Sequence, residues 1–260
     1  MKKENESKNR KIIFRRPVSL RDVPTHYCPG CGHGVVHRLV AEVVDELGIR
    51  ERVVGIAPVG CAVLAYDYFN FDMTEAPHGR PPAVATGMKR SRPDLIVFTY
   101  QGDGDLAAIG TAETIHAANR GENITIIFVN NGVYGMTGGQ MAPTTLLEQV
   151  TKTTPRGRFF EEAGPPLKVC EMLAPLDGTT YIARSALDKP ANILKARRYI
   201  KHAFLNQIEG EGFSLVEILS PCPVYWGLSP LESVRRLGDT VVSHFPLGII
   251  KDVKFGREKQ

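Results

Sequence analysis

The chain has 260 residues, 43% of them hydrophobic and 23% charged, with a formal net charge of +4; that is enough for one large α/β domain with a buried core. Much of the basic excess lies between Lys2 and Arg16, so it belongs to a tail, and no basic stripe interleaved with aromatics marks a nucleic-acid face. No apolar run approaches the roughly 18 to 20 residues that cross a bilayer, and the N-terminal charges lack the apolar segment of a secretory signal, which leaves the cytoplasm as the expected compartment.

Residues 1–13 form the tail, polar and charged to Lys11, expected to be disordered or to act as an arm on a partner. Residues 12–25 contain two prolines and no helical period and are expected to run extended over a surface. The tight loop His26-Tyr27-Cys28-Pro29-Gly30-Cys31-Gly32-His33-Gly34 leads directly into a helix. Its apolar face is Val35, Val36, Leu39, Val40, Val43, Val44 and Leu47, and it stops at Gly48. A short strand over 53–57 runs into Pro58-Val59-Gly60-Cys61. Residues 67–73 are aromatic-rich and predict another short strand. His78-Gly79-Arg80 precedes a helix over 83–89, and Pro93 separates that helix from a strand over 95–100.

The next stretch organises the chain. A buried strand ends in Gly102-Asp103-Gly104-Asp105, a helix begins near Leu106, and a second apolar strand over 124–129 ends in Asn130-Asn131-Gly132-Val133. In a parallel sheet both strand ends open on one edge, so the Asp103 carboxylate and the Asn131 amide converge. One carboxylate, one amide and a loop carbonyl suit a hard cation such as magnesium, leaving places for a diphosphate and water. Gly102 and Gly104 let the backbone approach phosphates, and the helix start aims N–H groups at them. Neither a dinucleotide loop nor a nucleotide P-loop fits the letters: position 107 is Ala107, and no Gly-Lys-Ser/Thr occurs here. GDG followed some two dozen residues later by NN resembles the thiamine diphosphate signature, which implies that Asp103, Asn131 and the Val133 carbonyl hold magnesium.

Residues 141–166 are rich in Thr, Pro, Gly and charge, and a loop this long in a compact domain reads as a lid or a partner-contact arm. A helix over 169–173, a strand over 181–184 and a helix over 191–207 follow, the last with Ile193, Leu194, Ile200, Ala203 and Phe204 inward. A buried strand over 213–219 delivers Ser220-Pro221-Cys222-Pro223. The last helix covers roughly 231–244, and 246–260 reads as a C-terminal tail. Alternating strands and helices predict an α/β fold, a mostly parallel sheet with helices on both faces, as one domain over 14–245.

Of five cysteines, Cys28 and Cys31 form a C-x-x-C, while Cys61 and Cys222 each follow a strand. Cys170 reads as a small buried hydrophobe. A disulfide framework does not suit a large, cytoplasmic chain. Structural zinc would want a second close pair. An iron–sulfur cluster accepts one close pair plus scattered thiolates, and Cys61 and Cys222 end strands on the rim where the cation site is inferred.

YCPGCGHG, the VGC around Cys61, HGR at 78–80, ATG at 85–87, GDGD at 102–105, NNGVYGMTGGQ at 130–140 and LSPCP at 219–223 together resemble the short β subunit, the thiamine-binding subunit, of 2-oxoacid:ferredoxin oxidoreductases. The likeness covers residues 14–252. It implies the thiamine diphosphate-binding fold and one 4Fe-4S cluster on Cys28, Cys31, Cys61 and Cys222. It also implies a cofactor site at Gly60, Cys61, His78, Gly102, Asp103, Gly104, Asp105, Asn131 and Val133, with Tyr134, Gly135, Met136 and Thr137 wrapping the thiazolium side. His78 and Arg80 are the expected catalytic or substrate contacts, His33 is a candidate near the cofactor, His37 a surface or packing residue, and Glu113 structural. The implied reaction is oxidative decarboxylation of a 2-oxoacid with coenzyme A, giving acyl-CoA, carbon dioxide and reduced ferredoxin.

The glutamate that activates thiamine is expected on an α-type partner subunit carrying the pyrimidine-binding domain, with γ and δ subunits as further partners. The absence of a cation between Gly132 and Thr145 favours a branched-chain 2-oxoacid over 2-oxoglutarate, whose distal carboxylate would need one, although Arg80 or Lys89 could reach in. Two rivals remain from the sequence. One is a non-oxidative thiamine-dependent decarboxylase or carboligase subunit with structural zinc, the other a non-catalytic metal-binding interaction protein.

Overall fold

The computed structural model describes residues 15–254, and the expected arm at 1–13 lies outside the described residues. Nine strands are present there: β1 (Val53–Ala57), β2 (Asp72–Glu75), β3 (Ile96–Gly102), β4 (Thr125–Asn130), β5 (Val133–Tyr134), β6 (Gln140–Met141), β7 (Thr179–Ala186), β8 (Phe213–Leu219) and β9 (Gly248–Asp252). Seven form one sheet in the order β2-β1-β3-β4-β8-β7-β9, while β5 and β6 make a small hairpin. Every neighbouring pair in the large sheet is parallel except β7 with β9.

The helices are α1 (His33–Leu47), α2 (Ala65–Tyr68), α3 (Pro81–Ser91), α4 (Thr111–Asn119), α5 (Phe160–Ala163), α6 (Val169–Leu173), α7 (Pro190–Ile208), α8 (Pro223–Trp226), α9 (Pro230–Arg236) and α10 (Val242–His244). Strands β1, β4 and β8 are buried at every position, because helices cover both sheet faces and no side chain points to water. Alternate residues therefore enter different cores. Phe98, Tyr100, Ile127 and Val129 pack with α1 and α7, whereas Val97, Ile126 and Phe128 pack with α3, α4 and α6.

Several expectations are corrected. The aromatic stretch 67–73 does not form a strand: Tyr68 and Phe69 are buried at the end of α2, and the edge strand β2 uses the more polar Asp72–Glu75. Its aromatics are spent on the core beneath α1 rather than on a pleated edge. On α7, Leu194 is 61% exposed, one position off the stripe formed by Ala196, Ile200, Ala203 and Phe204. Val35 likewise faces outward on α1. Residues 246–260 are not simply a tail, because β9 pairs antiparallel with β7 and covers an otherwise open sheet edge.

Two charges lie where the strand pattern predicts apolar residues. Arg184 on β7 and Glu217 on β8 face each other across the sheet, and both side chains have no exposure. Arg184 Nε donates to Glu217 Oε2 at 2.6 Å, and its terminal nitrogens donate to Glu171 and to the Pro246 carbonyl. Glu217 also accepts from Asn130 Nδ2 at 2.7 Å and from the Cys170 thiol. Cys170 is thus more than a small hydrophobe: burial and the adjacent Glu217 push its thiol well above the ordinary value. Removing one member of such a pair strands the other in the core. Glu217→Leu is expected to cost about 3–5 kcal/mol, read as a fall in melting temperature of roughly 6–20 °C by circular dichroism. A shift of under about 2 °C would show that the pair carries no net weight.

Candidate functional site

Because the sheet is parallel from β2 through β7, the C-terminal ends of six strands open on one edge, and five of them lead to the site. β1 runs into Cys61, β2 towards His78, β3 into Asp103, β4 into Asn131 and β8 into Cys222. Two cavities lie there, and Cys61, Asn131, Gly135 and Met136 line both. The wall between them is thin at Gly135, where an added Cβ would stand 2.8 Å from the Cys61 sulfur and 4.0 Å from that of Cys222. Only a glycine backbone approaches the sulfurs so closely.

The first cavity is lined by Gly60, Cys61, His78, the GDGD residues Gly102 to Asp105, Asn131 and the segment Val133 to Thr137. Every sequence-derived cofactor residue therefore borders one space. Asp103 forms its floor and is 2% exposed. Its Oδ2 accepts from the Gly132 N–H at 2.6 Å and from Thr144 Oγ1 at 2.9 Å, while its Oδ1 accepts from the Gly104 N–H at 3.0 Å. Burial pushes the carboxyl up to about 6, against the pull of those hydrogen bonds. No lysine or arginine lines the cavity, which has two buried carboxylates, Asp103 and Asp105. Carboxylate and amide oxygens with no lysine or arginine beside them are the ligand type a hard cation takes, and Asp103, Asn131 and Val133 border this one space.

The helix after GDGD departs from expectation. Gly104–Ile109 forms a π-turn, and α4 starts only at Thr111. The Gly104 N–H is spent on Asp103, so fewer donors remain for a phosphate. Wide turns of this kind recur at functional sites, and this one serves to bring His78 in. Gly79 has φ 79°, and a Cβ there would stand 2.7 Å from the Gly110 nitrogen, so the two backbones touch. That contact sets His78 Nδ1 at 2.7 Å from Asp105 Oδ1, which also accepts from the Gly79 N–H. Asp105 Oδ2 accepts from Gln101 Nε2 at 2.6 Å, and Thr99 Oγ1 donates to Gln101 in turn. A core-anchored chain thus holds the imidazole of His78, which borders the cavity. Arg80, expected beside His78 as a contact, does not line the cavity; it pairs with Glu113. Lys89 donates to the Pro93 and Leu95 carbonyls and does not reach in either.

The second cavity, about 220 Å³, is bordered by Cys28, Cys31, Cys61 and Cys222 together, and all four are free thiols. Burial, with the neighbouring sulfurs adding to it, pushes Cys61 up to about 12. Burial does the same to Cys222, and it raises Cys31 as well. Such thiols are inert unless a positive centre displaces their protons. Among the described residues, no three His, Cys, Asp or Glu side chains are close enough to hold one metal ion.

Other residues also border or support the site. His33 borders the first cavity, with Nδ1 3.0 Å from the Tyr100 hydroxyl, and burial brings its pKa down to about 4, so it is neutral near pH 7. His37, expected at the surface or in packing, is buried against Tyr100 with rings stacked at 4.7 Å. Trp226 donates from Nε1 to the Asn131 carbonyl at 3.1 Å. Thr144 and Thr145 lie in the long loop 141–166. Only their composition distinguished them, since the Thr144 hydroxyl lies 41 residues from its partner Asp103 and leaves no local spacing to read.

Comparison with known proteins follows the same lines. Residues 58–218 match the family described as thiamine pyrophosphate enzyme, C-terminal TPP binding domain. The ketoisovalerate oxidoreductase subunit VorA of Methanothermobacter thermautotrophicus is 50% identical over 252 residues, 93% of this chain and 53% of that protein. The chain thus spans about half the length of the first curated relatives it matches. The 2-oxoglutarate synthase subunit KorB of Methanocaldococcus jannaschii is 37% identical, over 79% of this chain and 72% of its own. Among solved structures, a 2-oxoglutarate:ferredoxin oxidoreductase from Magnetococcus marinus, with 2-oxoglutarate, coenzyme A and succinyl-CoA bound, superposes with a TM-score of 0.74. It is 28% identical, over 94% of this chain and 87% of that one.

Proposed function

Because this chain belongs to the thiamine diphosphate-binding β subunits of 2-oxoacid:ferredoxin oxidoreductases, we propose that it binds thiamine diphosphate with magnesium in the first cavity and a 4Fe-4S cluster in the second. Oxidative decarboxylation of a 2-oxoacid, with coenzyme A as acyl acceptor and ferredoxin as electron acceptor, is the function this arrangement supports best. The observation that carries it is the shared wall of Cys61, Asn131, Gly135 and Met136 between the two cavities. A carbon-centred oxidation beside a one-electron acceptor needs that closeness.

When bound, thiamine diphosphate supplies the nucleophilic carbon for decarboxylation, and the cluster takes electrons singly. The chain's own residues bind and orient. Asp103, Asn131 and the Val133 carbonyl would hold magnesium beside the diphosphate, and Gly102, where an added Cβ meets nothing within 4 Å, would admit the phosphates to the backbone, while Gly104 makes room for the Tyr134 ring. Tyr134 to Thr137 cover the ring side, with Met136 as an apolar wedge. Cys28, Cys31, Cys61 and Cys222 hold the iron, and Gly135 keeps the sulfurs close to the ring. Asp105 fixes His78 as the tautomer protonated on Nδ1, so that Nε2 accepts or returns a proton at the substrate.

The first cavity encloses only about 100 Å³, well under the roughly 300 Å³ lower bound of a site that buries a drug-sized ligand. A second subunit that completes the cavity and brings the activating glutamate fits this small volume, and on this reading the polypeptide by itself is inactive. γ and δ subunits complete the assembly. Among 2-oxoacids, a branched-chain acid such as 2-oxoisovalerate ranks first and 2-oxoglutarate second, because no lysine or arginine lines the cavity.

Among the described residues no helix is long and apolar enough to cross a membrane, and the reaction is assigned to the cytoplasm. The test is anaerobic purification of the complex, metal analysis, and an assay against a panel of 2-oxoacids with coenzyme A and ferredoxin. About four irons per chain and reduction of ferredoxin are expected; zinc in place of iron, or product without electron transfer, would return the function to the non-oxidative rival. Within that assay, His78→Gln is expected to lower kcat about a hundredfold with thiamine diphosphate still bound. A kcat within threefold of wild type would remove His78 from proton handling.

A further inference from the structure

The loop 141–166 carries more than a lid would need. Arg158 is 3% exposed, and its donors are spent on backbone carbonyls. Nη1 donates to Pro143 at 2.8 Å and to Thr145 at 2.6 Å, Nη2 to Ala163 and Pro165 at 2.9 Å, and Nε to Gly164 at 3.1 Å. A buried guanidinium is a costly rivet unless all its donors are used. Here it gathers both ends of the loop and grips the carbonyls on either side of Thr144, so one residue is held between two fixed peptide groups. Thr144 is itself 1% exposed, and its hydroxyl reaches Asp103 Oδ2 at 2.9 Å. Thr145 ties the same loop to the turn after Asn131, donating from Oγ1 to the Gly132 carbonyl at 2.6 Å and accepting from the Ala142 N–H.

The two oxygens of Asp103 are consequently unequal. Oδ2 receives two donors, the Gly132 N–H at 2.6 Å and the Thr144 hydroxyl at 2.9 Å, whereas Oδ1 receives the Gly104 N–H at the longer 3.0 Å. The geometry points to Thr144 as a positioning residue: its hydroxyl, held in place by Arg158, fixes the rotation of the Asp103 carboxylate so that Oδ1 is the oxygen presented to a divalent cation. This rests on the reading of the first cavity as a cation and diphosphate site. It adds that the affinity of that site is set partly by a loop outside the GDGD and NN segments. Groups behind a metal ligand orient it and raise its affinity, and a hydrogen bond to a charged acceptor is the stronger kind.

The test reads binding and not turnover. In the copurified complex stripped of metal, Mn²⁺ is titrated with excess thiamine diphosphate, and bound ion is followed by loss of the free-ion EPR signal. Thr144→Val keeps the shape of the side chain and removes the donor; it is expected to weaken Mn²⁺ roughly tenfold. Thr144→Ser restores the donor and is expected to bind within about twofold of wild type, with cooperative melting kept in both. Should Thr144→Val fail to melt cooperatively, Thr144→Ala set against Thr144→Ser makes the same comparison. Wild-type affinity in the valine or alanine variant overturns the inference alone. Equal weakening in the serine and valine variants, with matching losses of melting temperature, marks Thr144 as packing and also overturns it. If the wild-type complex binds no Mn²⁺ with thiamine diphosphate, the cofactor reading itself falls.

Discussion

Asp103→Ala is expected to abolish retention of magnesium and thiamine diphosphate, and turnover with them, while the fold persists. Magnesium bound between protein and diphosphate rests on one or two carboxylates. Beside the Asn131 amide and the Val133 carbonyl, the only other buried carboxylate lining the cavity is Asp105, already engaged by His78, Gly79 and Gln101. Disturbing groups merely behind a ligand costs about ten- to a hundredfold in metal affinity, so losing the carboxylate ligand itself is expected to exceed about a hundredfold. Unfolding is not the expected cause. Burial raises the Asp103 carboxyl to about 6, above its unfolded value, so its ionised form opposes folding at neutral pH and removing the charge relieves that term. Calorimetric titration of thiamine diphosphate with magnesium into the complex checks the result, beside a melting curve. Binding within about tenfold of wild type would take the metal away from Asp103.

Cys222→Ser is expected to eliminate electron transfer to ferredoxin while thiamine diphosphate still binds. Cys222 sits at the start of α8 directly after β8. It shares the cysteine cavity with Cys28, Cys31 and Cys61 but does not line the first cavity. A serine hydroxyl does not supply the thiolate on which a four-iron cluster rests. The variant should therefore fall well below about four irons per chain and lose the brown colour of anaerobic material. Cys170→Ala is the control: that thiol is buried in the core against Glu217, outside the cysteine cavity, and the variant should keep its iron. Full iron content and normal ferredoxin reduction in Cys222→Ser would dissolve the four-cysteine assignment, whatever the outcome at Asp103.

The four cysteines show how little of a distributed site is visible along a chain. Cys28 and Cys31 announce themselves as a C-x-x-C, but Cys61 and Cys222 lie far apart in sequence, and it took the rule that parallel strand ends share an edge, together with the family resemblance, to suggest that they come together. They border one cavity because β8 inserts beside β4, with Asn130 opposite Leu219 in register and the Ser220 N–H donating to the Asn130 carbonyl at 2.8 Å. That places the turn carrying Cys222 against the turn carrying Asn131. Arg80 shows the opposite failure: a motif next to His78 suggested a shared role, and Glu113 on α4 drew the guanidinium away from the cavity.

The amino-acid sequence by itself determined the buried parallel strands, the helices between them, and the exits at Asp103 and Asn131. Each depends on apolar runs, glycines and prolines within a few residues, so local sterics and burial decide them. Only the tertiary structure decided which long-range partners those exits acquire: His78 on Asp105, Thr144 on Asp103, Trp226 on Asn131, and Arg184 against Glu217. Those pairings follow from strand order and from where loops come to rest. Contacts of that kind are selected by the free energy of the whole packed chain, and no periodicity along it records them.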